Sequence, residues 1–124
     1  MPEAKDVLQG SVWRILAVVG ANGKCPFLEF FNDQLTARQR NDFWALLKHF
    51  ADRAWLTNKQ KFKSVEGTEF FEFKDFQVRV LCFTRPGHEM VLTHGLIKKQ
   101  DRLSSQDIER ARRLKAEFER KSLA

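Results

Sequence analysis

Residues 69–99 read EFFEFKDFQVRVLCFTRPGHEMVLTHGLIKK, and the patterning of this stretch decides the fold. Three runs, Glu69–Lys74, Val78–Phe83 and Glu89–His94, are rich in Phe, Val and Leu, residues that suit a pleated, packed surface. Only Asp75-Phe76-Gln77 separates the first two, which leaves room for a hairpin and little else. Between the second and third, Pro86 precedes Gly87 as a type II turn requires, so the third run returns along the second. The stretch therefore predicts an antiparallel meander. Side chains alternate along a strand, which puts Arg79 on one face with Leu81 and Phe83, away from Val78, Val80 and Cys82. An arginine in so apolar a run needs a reason. Periodicity leaves two open: an ion pair at the sheet rim with Glu72 or Asp75, or a functional cation.

Working outward, Val12–Val19 (VWRILAVV) reads as a buried first strand ending at the turn cluster Gly20-Ala21-Asn22-Gly23. Pro26 suits the first turn of a short helix bearing Phe27, Leu28, Phe31 and Leu35 on one face. Thr36 and Gln39 form a capping-box pattern ahead of a second helix, whose stripe is Phe43, Leu46, Leu47, Phe50 and Ala54. The polar stretch Thr57–Gly67 reads as a surface loop, and Gly95–Arg102 as another. Ser104 with Asp107 signals a last cap, with Leu103 and Ile108 as its staple, and a helix follows with Ala111, Leu114 and Phe118 facing inward. The expected fold class is α+β: an antiparallel β-sheet meander with two N-terminal helices and one C-terminal helix. One domain spans 1–124, residues 1–10 being an N-terminal extension.

Composition bounds the function. In 124 residues, 43% are hydrophobic and 31% charged, enough for one core and too polar for a membrane protein, while twelve Phe and three Trp exclude a disordered chain. The N-terminus lacks a basic region followed by an apolar stretch, so a cytoplasmic location is expected. The formal charge of +6 suits a polyanion or an acidic partner, and its excess lies in residues 35–67 (seven basic against three acidic) and 96–124 (nine against five). His49, His88, His94, Cys25 and Cys82 fall into no metal-ligand spacing, and the glycines into no nucleotide-binding loop. No metal and no cofactor are expected. His94, at an ordinary pKa of about 6.5, is the side chain near the meander that can exchange protons at neutral pH.

The runs FFEFK, VRVLCF and VLTHGLIKK, followed by DIERARRLKAEF, resemble in order and spacing the HigB-like branch of the RelE/ParE toxin superfamily, over about residues 11–120. That resemblance implies the toxin of a type II toxin–antitoxin system, a metal-independent endoribonuclease (an mRNA interferase) that cuts messenger RNA on the ribosome. It also implies a cognate antitoxin as protein partner, of the helix-turn-helix kind and encoded adjacently. Carried over by motif, Arg79, Lys98 and Lys99 become catalytic, with His94 as proton carrier; Arg79 would grip the scissile phosphate bidentately. Lys74, Arg102, Lys59, Lys61 and Lys63 would hold RNA. Many members carry a catalytic Tyr where this chain has Phe83 or Phe118, and this chain has no Tyr anywhere, so phenolic acid–base chemistry is impossible. Two rivals follow: a ParE-like DNA gyrase inhibitor, or a catalytically silent phage nucleic-acid-binding or adaptor protein.

Overall fold

A computed structural model describes residues 3–53, 60–99 and 102–123, with side chains as far as 120. The elements run β1 (Ala4–Gln9), β2 (Arg14–Val18), α1 (Pro26–Asp33), α2 (Ala37–Asp52), β3 (Phe62–Ser64), β4 (Phe71–Asp75), β5 (Val78–Arg85), β6 (Glu89–Ile97) and α3 (Ser105–Leu123). The strands form one sheet in the order β1-β2-β6-β5-β4-β3. This is the expected α+β fold, and β4, β5 and β6 form the expected antiparallel meander. Gly87 takes φ 84°, as the third residue of a type II turn must.

Four details differ from the sequence reading. The sheet is mixed, because β2 pairs with β6 in parallel from Arg14↔Glu89 to Ala17↔Leu92; a parallel neighbour requires a crossover, and α1 and α2 lie in it. Residues 4–9 form an edge strand on β2. Phe62–Ser64, inside the expected loop, pair with β4, because Phe62 is buried against Phe50, Phe71 and Phe73; Thr57–Lys59 lie outside the described residues, as does Ala54. The last strand also runs on to Ile97, past the expected boundary at His94.

Each face of the sheet carries a core. On one side Ile15, Ala17, Val80, Cys82 and Leu92 meet Phe27, Phe30, Phe43, Leu47 and Phe50 of α1 and α2. On the other, Leu16, Val18, Leu81, Phe83 and Val91 meet Ala111, Leu114 and Phe118 of α3. The central strands are buried on both faces, which is why they read as continuous apolar runs. Caps fix the helices as their sequences predict. Thr36 and Gln39 form the reciprocal box of α2, and Ser104 and Asp107 exchange backbone N–H bonds of 2.9 and 3.1 Å ahead of α3. Both cysteines are buried and unpaired, and burial pushes the Cys82 thiol well above its ordinary pKa.

Candidate nucleic-acid interface

α3 packs over β2, β6 and the Leu81–Phe83 part of β5, and on the β4–β3 side of the same face the chain places Lys63, Lys74 and Arg79. The register sets their order. Lys63 lies across from Glu72 and Lys74 across from Arg79, so all four project to the α3 side. Arg79 stands in turn opposite Leu96 on β6.

His94 reaches this face through a bulge. Alternation from Met90 and Leu92 would send it toward α1, but Val80 pairs with Gly95 and Cys82 with Leu92, so Thr93 and His94 together oppose Leu81. The extra residue turns His94 to the α3 side and Gly95 to the α1 side, where a Cβ would overlap the ring of Phe30. Glycine after the histidine is thus a packing requirement.

Arg79 is 1% exposed and is the largest fully buried side chain, and its Nη1 donates to Glu72 Oε2 at 3.1 Å; Glu72 is also 1% exposed. The pairing with Glu72 agrees with one of the two sequence readings, but the position is interior and not a rim. A phosphate has no access to the guanidinium in this conformation, so the bidentate grip expected from the resemblance does not form here. Lys63 Nζ stands 3.9 Å from the other Glu72 oxygen. Beyond β6, the Lys98 backbone N–H donates to Gln77 at 2.8 Å, and Lys98 Nζ meets Asp107 at 3.0 Å, tying the strand exit to the first turn of α3. Burial pushes the Asp107 carboxyl up, but the Ser104 backbone N–H and Lys98 outweigh it and hold the group below the ordinary carboxylate range.

Between the β3–β4 edge and the start of α3 lies a cleft of about 700 Å³, with Lys63 and Glu72 on one side and Arg102, Ser105 and Ile108 on the other. Lys63 and Arg102 thus line the cleft, Lys74 and Arg79 lie on the adjoining strands of the same face, and Lys98 is held at the start of α3 by Asp107. Lys99 is exposed just past Lys98. Lys61 is turned elsewhere, its Nζ 2.7 Å from Asp75 and 5.0 Å from the centre of the Phe76 ring. Lys59 lies outside the described residues. Glu72 is the residue that sequence reasoning undervalued; its signal was the hairpin register, which puts it diagonal to Arg79 on the same face.

His94 departs from its expected chemistry. It is 2% exposed, and its pKa falls from 6.5 to about 4, chiefly through burial, with Arg110 and Arg113 of α3 adding to the effect and Asp107 opposing it. The Thr93 hydroxyl donates to the Leu81 carbonyl at 2.9 Å and stands 3.2 Å from His94 Nδ1, which assigns the imidazole proton to Nδ1. Nε2 is buried and meets no hydrogen-bond partner among the described residues. At neutral pH the ring is uncharged and enclosed, so it is no proton carrier in this conformation. A pH dependence follows. Between about 4 and 6.5 the unfolded chain binds a proton that the folded chain refuses, so stability is full above pH 6.5 and is lost as pH falls toward 4. The loss is up to about 3 kcal/mol. Urea unfolding of the parent should show that slope, and His94→Asn should flatten it.

A family model described as Phage derived protein Gp49-like matches residues 29–116, from α1 into α3, and so includes every strand of the meander. The chain belongs to that family. It is a RelE/ParE-like toxin family. Comparison with curated proteins returns no match. The Gp49-like segment contains the whole cationic region, whereas β1 and β2 lie before it. Among the described residues no helix is long and apolar enough to cross a membrane, and no cluster of His, Cys, Asp and Glu is suited to a metal.

Proposed function

We propose that this Gp49-like chain is the toxin of a type II toxin–antitoxin pair, of the HigB-like branch, and that it cuts messenger RNA on the ribosome. The observation that carries this reading is the cleft lined by Lys63 and Arg102, with Lys74 on the adjoining strand of the same face and Lys98 paired to Asp107 at the start of α3, in a toxin-family fold. Cleavage by the RNA's own 2′-hydroxyl requires removal of that proton, stabilisation of the extra charge on the phosphorane and protonation of the departing 5′-oxygen. Lysines supply the middle requirement without a metal. Lys74 and Lys98 serve the reacting phosphate, Lys63 and Arg102 hold the strand on either side, and Lys99 adds charge at the approach. Arg79 acts from beneath, neutralising Glu72 so that no unbalanced carboxylate repels RNA from the floor.

No Tyr is present and His94 is held neutral, so the proton transfers fall to water or to ribosomal groups, which supports ribosome dependence. The antitoxin would cover the same cations with acidic side chains. Expression of the chain alone in bacteria should stop growth, with translation falling before DNA replication, and purified protein should cut messages when ribosomes are added and little without them. Failure of supercoiling with intact messages would move the assignment to a gyrase inhibitor. RNA binding without any arrest would move it to an adaptor.

A further inference from the structure

At the tip of the β4–β5 hairpin, Phe76 is 81% exposed, the most exposed large apolar side chain described. Its backbone takes φ 54°, a left-handed conformation that suits Gly, Asn or Asp and strains a bulky residue. Neither core packing nor turn chemistry asks for a phenyl ring there. The ring is nevertheless held in place: Lys61 Nζ sits 5.0 Å from its centre, and that ammonium is itself fixed by Asp75, 7% exposed, at 2.7 Å. With one face toward Lys61 and most of its surface in solvent, the ring offers its other face to a flat partner.

The surroundings say what kind of partner. Lys74 is two residues away along the chain, and the adjoining Gln77 carbonyl accepts the Lys98 backbone N–H at 2.8 Å, which places the hairpin tip beside the cationic region. We propose that Phe76 is a stacking platform for a base of single-stranded RNA whose neighbouring phosphates are met by Lys74 and Lys98. This rests on the RNA reading above and adds to it a positioning residue outside the cleft. Stacking uses the π-face that every base shares, so the platform fixes where the strand lies and is indifferent to which base is stacked. The ring's cost to the turn is then maintained by its use.

The test is binding of a short oligoribonucleotide containing 2-aminopurine, whose fluorescence is quenched on stacking, at low ionic strength and without ribosomes. The parent should bind and quench. Phe76→Leu, apolar without a π-system, and Phe76→Asn, suited to the backbone, should each weaken binding by about 5- to 150-fold and lose the quench. Phe76→Trp should retain both, and Phe76→Asn should melt no lower than the parent, which separates recognition from folding. Parent-like affinity and quench in Phe76→Leu would overturn the platform while leaving the nuclease reading intact. Loss of stacking in Phe76→Leu, with ribosomal cleavage absent even from the parent, would leave the platform standing and remove the nuclease. If oligonucleotide affinity is unchanged and the cognate antitoxin instead dissociates faster from Phe76→Leu, the ring is a protein anchor and the proposal falls.

Discussion

Arg79→Ala should destabilise the fold by about 3–5 kcal/mol, a large part of the total stability of a domain this size. The reason is the carboxylate left behind. Glu72 is as buried as Arg79, and Lys63 at 3.9 Å is a distant, exposed substitute for a guanidinium at 3.1 Å. Removing one partner of a buried pair leaves an uncompensated charge in a low-dielectric interior, whereas removing both in favour of apolar groups of similar size is often neutral. Glu72→Ala should therefore cost a similar amount, and Glu72→Met/Arg79→Leu should recover most of it. Thermal unfolding at pH 7 reads the comparison: a drop of roughly 10–20 °C for either single variant and a much smaller one for the double. Single variants that melt within a degree or two of the parent would show that the pair is not enclosed in solution.

The same set decides what Arg79 does for activity. Arg79→Ala alone does not test catalysis, since lost toxicity in it would follow from unfolding of the buried pair. The double variant removes the charge and keeps the core. Full ribosome-dependent cleavage by it would assign Arg79 to structure. Cleavage lost from a normally melting double variant would require the guanidinium to reach RNA, and therefore a rearrangement that opens the enclosed Arg79–Glu72 pair.

How far the sequence carried each of these residues depends on how local the deciding physics is. Strand alternation is local, so the facing of Arg79 with Leu81 and Phe83 was legible, as were both capping boxes and the type II turn at Gly87. Whether the rest of the fold then encloses a position on that face is a tertiary fact, and it made Arg79, for which a rim ion pair and a functional cation were both open, an interior residue. His94 was misplaced for a different reason. A single bulge opposite Leu81 reverses the alternation, and nothing in THGLIKK announces it except Gly95, whose need for close approach to Phe30 is visible only once α1 is docked. The edge strands were invisible because edges carry charge and few apolar residues: AKDVLQ and FKS have little periodicity, and each is held by a neighbouring strand. Phe76 was passed over because a turn of three residues explains itself without reference to the side chains at its tip.

Lys98→Ala and Lys74→Ala should each lower ribosome-dependent cleavage by about 10²–10³-fold, the scale of a lost transition-state donor. For Lys98→Ala stability should scarcely change, because the Lys98–Asp107 pair is partly exposed (25% and 19%) and such pairs contribute no more than about 1 kcal/mol. Lys63→Ala and Arg102→Ala are the contrasting pair. Both residues are exposed on opposite walls of the cleft, where they attract RNA through counterion release, so their loss should weaken binding and reduce the salt slope by about one unit each while leaving single-turnover cleavage at saturation near the parent value. Single-turnover rates on ribosome complexes, measured with melting curves on the same preparations, separate the two groups. Should all four lysine and arginine variants lose affinity alike and cleave normally once saturated, the cations would be a docking surface only. The chemical step would then belong to the ribosome, with this chain acting by where it holds the message.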